Sequence, residues 1–294
     1  MHSHTQSIAH EQRGLLMMTA SVFLFSATAL ILSYAHDTYA VSGWSASVYR
    51  AVTGLLAVSL LQKQTGPLSL SRIFTQRWLF ARGLIGGMTI PIYYMTIMKL
   101  GPGRAGMIAG SYPLFAAVFA MCFLREPVTR RDYSYICLAL LGLGFIFSHQ
   151  GIGPAQPLYD TVALVGAAAA GICVVLIRHL RHSETTSNIF AAQCVFALIL
   201  GCIGSKGQIW FQNPNALALV LVASITVVAA QLLLTMAFRY IDVAKGATLQ
   251  MLTPVCTAVS SAFLLGENFG ILEVIGGAAI LYASYQIALR KRKA

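Results

Sequence analysis

Charge is scarce in this sequence. Of its 294 residues only 10% are charged, and nine of them are acidic. A water-soluble domain usually carries about 25% charged residues. Too few charges are therefore present to cover a surface that faces water on all sides. Metal and thiol chemistry are equally thin. The six cysteines (Cys122, Cys137, Cys173, Cys194, Cys202 and Cys256) all lie inside apolar runs and form no CxxC pair. They read as small buried apolar side chains, not as a disulfide frame or a zinc site. No His/Cys cluster has zinc spacing, no glycine-rich loop follows the P-loop pattern, and no GxSxG occurs. An enzymatic reading would need a nucleophile or metal constellation, and none is visible. No cofactor is implied. The net charge of +11 comes from short basic clusters between apolar runs, not from a basic domain. Topology signals and anionic lipid headgroups account for such clusters better than nucleic acid does.

Hydrophobic residues make up 57% of the chain and come in runs near 20 long. A helix of about 20 residues crosses a hydrocarbon core of about 30 Å. The runs predict ten spans: Gly14–Ala35, Ser42–Leu61, Trp78–Leu100, Gly103–Leu124, Tyr133–His149, Tyr159–His179, Thr186–Ile203, Pro214–Tyr240, Val243–Leu265 and Gly270–Leu289. The first is longer than a signal-peptide core and reads as a spanning helix. The links Gly101-Pro102 and Ile241-Asp242 are too short to let neighbouring helices be other than antiparallel.

Basic residues then give a direction. With the N-terminus inside, sixteen Lys and Arg fall on the inner side, among them Arg13, Lys63, Arg72, Arg130, Arg181, Lys245 and the tail Arg290–Lys293. Three, Lys99, Arg104 and Lys206, fall outside. That bias places both termini in the cytoplasm. A repeat appears at an offset of 141 residues: Pro113 matches Pro254, Leu124 matches Leu265 and Glu126 matches Glu267. The expected organisation follows. A tail (1–13) precedes a first repeat (14–149), an outer linker (150–158), a second repeat (159–289) and a basic tail (290–294). Five helices per repeat is an odd number, so the halves are inverted. The predicted fold class is an all-α integral membrane protein of ten helices in two inverted five-helix repeats. Such repeats support alternating access to a site near the midplane.

These residues resemble a known family. Val48-Tyr49-Arg50, Ala81-Arg82-Gly83-Leu84, Tyr112-Pro113-Leu114 and Leu124-Arg125-Glu126-Pro127 look like one EamA repeat. Leu252-Thr253-Pro254-Val255 and Leu264-Leu265-Gly266-Glu267-Asn268 look like a second. The chain is similar to ten-helix members of the drug/metabolite transporter superfamily. It departs from the strongest pattern in having Gln193 where the repeat suggests a counterpart of Arg50. The resemblance implies a permease for a small organic solute in the cytoplasmic membrane of a bacterium. It names no substrate. Superfamily members include amino-acid exporters, S-adenosylmethionine carriers and sugar-nucleotide exchangers.

Arg50 lies about 12 Å from the outer end of its span by helical rise. A charge at that depth faces a cavity or a partner. The nine acids all fall in tails, loops or helix ends, so no carboxylate of the sequence shares its depth. Two roles stay open for it: a structural group, or a donor to a substrate carboxylate. Pro91, Pro113 and Pro254 lie within predicted spans as candidate hinges, freeing the carbonyls of Gly87, Ala109 and Gln250. Tyr93, Tyr94, Ser111 and Tyr112 in the first half, and Gln193, Gln231, Thr235, Gln250 and Thr253 in the second, gather near these prolines. Buried amides need partners, so the glutamines either bridge helices or line a cavity. Arg82 sits near the cytoplasmic end and is expected to snorkel outward. Gly83/Gly87 and Gly106/Gly110 have packing spacing. Without an intramembrane carboxylate no proton relay is visible. Facilitated diffusion or exchange of an amino-acid-like solute is the first expectation. The alternatives are S-adenosylmethionine or another nucleotide-derived solute, and a non-transporting receptor or scaffold. Expected partners are the solute and membrane lipids, with no nucleic acid, and the protein is expected as a monomer or homodimer.

Overall fold

The computed structural model describes residues 2–100, 108–125, 129–148, 156–211, 213–253, 255–256, 259–260 and 270–288. Among these residues the secondary structure is helical. The long helices are α1 (His2–Tyr39), α2 (Gly43–Leu60), α5 (Arg77–Leu100), α7 (Arg130–Ser148), α8 (Pro157–Leu180), α9 (Thr186–Gly204), α10 (Pro214–Ala237) and α12 (Ile271–Ala288). Shorter pieces are α3 (Gln62–Thr65), α4 (Leu70–Thr75), α6 (Tyr112–Phe119) and α11 (Val243–Gln250). Every predicted span overlaps one of these helices. Among the described residues, His10–His36, α8, α9 and α10 are by themselves long and apolar enough to cross a membrane.

Local chemistry sets the helix starts. Thr185 caps α9, accepting from the Asn188 amide at 3.1 Å. Asp242 caps α11, accepting from the Lys245 amide at 2.8 Å. Ser42 and Asn213 cap α2 and α10 in the same way. At α7, Thr129 and Asp132 form a reciprocal pair: the Asp132 carboxylate accepts from the Thr129 amide at 2.7 Å, and Thr129 Oγ1 accepts from the Asp132 amide at 3.3 Å. Each cap satisfies amides that a helix start leaves without a partner. Pro157 and Pro214 stand at first-turn positions of α8 and α10, where no N–H is needed. The far end of α10 is closed from outside. Arg178, buried in the last turn of α8, donates from Nη1 to the Phe238 carbonyl at 2.6 Å.

Three features depart from expectation. The first helix includes the polar segment that precedes Gly14, so Glu11 lies inside a helix rather than in a tail. The link between the second and third spans contains α3 and α4. The fourth span ends in a π-helical turn, Ala120–Leu124, closed by Arg125 in the left-handed region (φ 53°).

The packing carries the repeat. Shifting by 141 residues takes Arg130, the first residue of α7, onto Ile271, the first of α12. By the same shift α1, α2 and α5 correspond to α8, α9 and α10. The contacts respect that exchange. Helix α1 packs on α10, as α8 packs on α5; α2 packs on α10, as α9 packs on α5. Two pairs of counterparts, α2 with α9 and α7 with α12, pack on each other. Both run antiparallel. On α2 and α9, Trp44 meets Gly204, Val48 meets Gly201, and Gly54 meets Cys194. On α7 and α12, Gly142 lies against Gly276 and Ile280 while the rings of Tyr135 and Tyr282 are 6.3 Å apart. Counterpart helices that pair head to tail are what an inverted repeat requires. The pseudo-twofold passes near Gly54 and Cys194, which are separated by almost one repeat length.

Candidate functional site

Arg82 is the most informative side chain. Its position, five residues into α5, is about 8 Å from the start of that helix by rise. Snorkelling toward the near end was the expectation, and the structure overturns it. Arg82 is 2% exposed and turns along its own helix, away from the basic end, over Gly86. A Cβ at Gly86 would fall on Arg82 Nη1, so the glycine one turn onward makes the groove in which the guanidinium lies. Gln193 on α9 supplies the acceptor: Arg82 Nη2 donates to Gln193 Oε1 at 2.9 Å. The same amide donates from Nε2 to the Gly86 carbonyl at 3.3 Å. Cys173 of α8 brings its sulfur beside the same glycine. Arg82 Nε and Nη1 are buried without a hydrogen-bond partner.

Arg50 of α2 lies near this group. It is half-buried, about 15 Å from the C-terminal end of α2 by rise. The charges of both Arg50 and Arg82 reach the thiol of Cys194, eight residues into α9 and hence about 12 Å deep. Two guanidinium groups from the first half thus lie within electrostatic reach of one residue of α9 from the second. Like charges in a medium of low dielectric repel strongly, and an anion between them would offset that.

A second polar group joins the halves at α1, α6 and α11. The Tyr112 hydroxyl donates to the Ala247 carbonyl at 3.2 Å. Gln250 Nε2 donates to Ser21 Oγ at 2.8 Å and meets Met18 Sδ at 3.0 Å. Thr253 Oγ1 reaches Gln250 Oε1 at 3.5 Å. Toward the start of α1, Lys245 Nζ pairs with Glu11. Lys245 is 1% exposed, although the sequence counts it among the inner-side basic residues.

The other sequence candidates separate from these groups. Ser111 donates to the Ile108 carbonyl at 2.6 Å, and Thr235, fully buried, donates to the Gln231 carbonyl at 2.7 Å. Both hydroxyls serve their own chain turn. Gln231 is buried on α10. Tyr93 is 41% exposed, and Pro91 lies within the continuous α5. Pro113 was expected in mid-helix, but it stands in the first turn of α6, after a break at Gly110 and Ser111. There its missing N–H costs nothing. The Tyr94 side chain, Pro254, Glu126 and Glu267 lie outside the described residues. Sequence reasoning expected Arg82 to snorkel and Cys173 and Cys194 only to pack, and it passed over Ser21. For Arg82 a signal existed: a glycine four residues on, where the side chain could lie along the helix.

Fold and site together define a helical membrane protein of two inverted repeats, with a buried arginine centre where α2 and α5 meet α9. The comparisons agree. The EamA-like transporter family model matches twice, over residues 12–148 and 158–289. The chain belongs to that family, whose members are transporters rather than enzymes. It is 28% identical to solute carrier family 35 member G1 of Mus musculus over 185 residues, 58% of this chain and 48% of that protein. It thus spans about half the length of that relative. It is 27% identical to the threonine/homoserine exporter RhtA of Escherichia coli K12 over 213 residues, 71% of this chain and 70% of that protein. A solved crystal structure superposes with a TM-score of 0.80 at 18% identity, covering 94% of this chain and 96% of the other, so the two share a fold.

Proposed function

We propose that this protein is a secondary transporter that moves a small polar metabolite, amino-acid-like in character, through a path between its two halves. The observation that carries the reading is Arg82: a guanidinium 2% exposed, with Nε and Nη1 lacking partners. Leaving a charge so buried is unfavourable unless something pairs with it. A carboxylate accepts from a guanidinium fork through two parallel bonds, and Arg50 adds a second positive charge nearby. Gln193, already oriented by Gly86 and Arg82, supplies an amide. Tyr112 and Gln250, which tie α6 and α11 together and to α1, are the contacts that break and reform as the halves rock. Pro91, Pro113 and Pro254 are the hinge positions. Two guanidinium groups work against a sulfonium cation, which disfavours S-adenosylmethionine. Likeness to a threonine/homoserine exporter supports an amino-acid-like solute. The sixteen-to-three bias of basic residues supports a cytoplasmic bacterial membrane with both termini inside. With no carboxylate of the sequence at mid-membrane depth, transport runs as facilitated diffusion or exchange.

The test is counterflow of labelled threonine and homoserine into proteoliposomes. Exchange should be saturable, blocked by excess unlabelled amino acid, and unaffected by collapsing a pH gradient. Arg82→Met and Arg50→Ala should each lose it while the protein still reconstitutes. Full exchange in both variants, or no amino-acid movement by the parent protein, refutes the reading.

A further inference from the structure

A cavity of about 490 Å³ opens at the end of the bundle where α1 carries Arg13. Its walls come from both halves: the beginning of α1, the α3 segment, the turn between α8 and α9, and the end of α10. Four cations line it, Arg13, Lys63, Arg181 and Arg239. One acid lines it too, Glu184, but that carboxylate is engaged elsewhere. It holds Arg72 at 2.8 Å and accepts from Asn188 Nδ2 at 2.9 Å. The positive charge of the cavity is therefore not cancelled from within.

Arg181 is built into the wall. Its Nη1 donates to the Glu184 carbonyl at 2.9 Å, while its Nε is buried without a partner. Burial and the charge of Arg239 hold its guanidinium below the ordinary arginine range, with Tyr240 opposing them. Two arginines that repel one another across a cavity form an incomplete arrangement. An anion between them completes it. The floor is rigid: Thr65 and Ser187 hydroxyls lie 2.7 Å apart, Ser187 donates to the Gly66 carbonyl at 2.6 Å, and Thr185 donates to the Pro67 carbonyl at 3.0 Å. Gly66 takes φ +90°, and the Thr185 side chain fills the space a Cβ would need. The opening of α9 also faces this cavity, and a helix start favours negative charge. Met17 and Met236 give one wall an apolar strip.

We propose that this cavity binds a phosphate monoester or diester, held by Arg181 with Arg13, Lys63 and Arg239 around it. Guanidinium groups match phosphate oxygens in geometry and charge. The volume suits a phosphate with a small attached group such as glycerol. The source is either the headgroup of an anionic lipid or a free phosphorylated metabolite. The site is separate from the Arg50 and Arg82 centre and stands whatever solute is carried.

The experiment uses the full chain in neutral detergent. Dioleoyl phosphatidylglycerol, dioleoyl phosphatidylcholine and glycerol 1-phosphate are titrated in turn, with thermal unfolding and native mass spectrometry as readouts. Saturable binding and a rise in Tm of several degrees are expected with phosphatidylglycerol or glycerol 1-phosphate, and none with phosphatidylcholine. Arg181→Gln and the exposed Lys63→Gln should each weaken that binding at least tenfold. Arg77→Gln, at the same end but outside the cavity, should leave it unchanged. Binding of the lipid alone assigns the site to a headgroup, and binding of glycerol 1-phosphate assigns it to a soluble ester. Absence of saturable binding by either phosphate probe overturns the proposal. So does equal affinity in the parent protein and the Arg181 and Lys63 variants.

Discussion

Replacing Gln193 by leucine removes the amide that holds the Arg82 guanidinium. Arg82 is 2% exposed, so water cannot take over. The lost hydrogen bond involves a charged donor, an interaction worth about 1.5–3 kcal/mol. Leaving a buried charge short of its partner costs about 3–5 kcal/mol where it has been measured. The nearby Cys173 sulfur is a weak acceptor and recovers little. A loss of about 3 kcal/mol follows for Gln193→Leu, which is about 5–10 °C in Tm for a chain of this size. Arg82→Met should be milder. It removes the charge and leaves only a neutral amide oxygen without its donor, about 1–3 kcal/mol. The double variant Arg82→Met/Gln193→Leu should recover most of the loss, because apolar side chains that replace a buried polar pair are often neutral or better. Thermal unfolding of the four proteins in one detergent gives the cycle. The double variant should fold well yet carry no amino acid, since both the fork and its amide are gone. If the two losses simply add, Gln193 does not hold Arg82 and the description of the centre is wrong.

Other perturbations follow from the same contacts. Gly86→Ala puts a methyl where Arg82 Nη1 lies, so amino-acid exchange should fall at least tenfold in the counterflow assay. Arg82→Met added to it should restore Tm but not exchange. Tyr112→Phe deletes the bond to Ala247 at about 1 kcal/mol. A drop of a few degrees in Tm with a changed exchange rate is expected, and an unchanged rate argues against a gating role. Glu11→Gln removes the carboxylate that meets buried Lys245. Hydrogen exchange of the α1 amides around Glu11 should speed up several-fold while the α7–α12 pair stays protected.

Much of the fold is legible in the chain because its cause is local. Apolar runs near 20 residues have one stable state in a membrane, and the Pro113/Pro254 and Glu126/Glu267 spacing reports the duplication directly. The centre was less legible because its cause is not local. Arg82 lies inward only because Gly86 clears the groove and Gln193, 111 residues away in sequence, supplies an acceptor. Reading Arg82 alone gives a snorkelling side chain. Reading it with the glycine one turn on gives a buried one. Lys245 shows the same limit. The sequence counts it as an inner-side charge at the start of a span, while Glu11, 234 residues away, draws it into the interior. Pro113 shows the reverse error: a proline within an apolar run was taken as a kink, but the chain restarts its helix there.

The pseudo-twofold has a consequence for direction. In a carrier made of inverted halves, exchanging the two conformations of the halves converts one facing state into the other. If the halves were chemically identical, both states would have equal energy and equal resting occupancy. Here the strict 141-residue shift carries Arg82 onto Ala223 and Arg50 onto Ala191, two residues before the Gln193 that the repeat pattern suggested. The two arginines of the centre therefore come from one half alone, and the other half has no counterpart charges. In a protein that works as proposed, the two facing states would then differ in how that charge is solvated, and the empty protein would rest unequally between the two sides of the membrane.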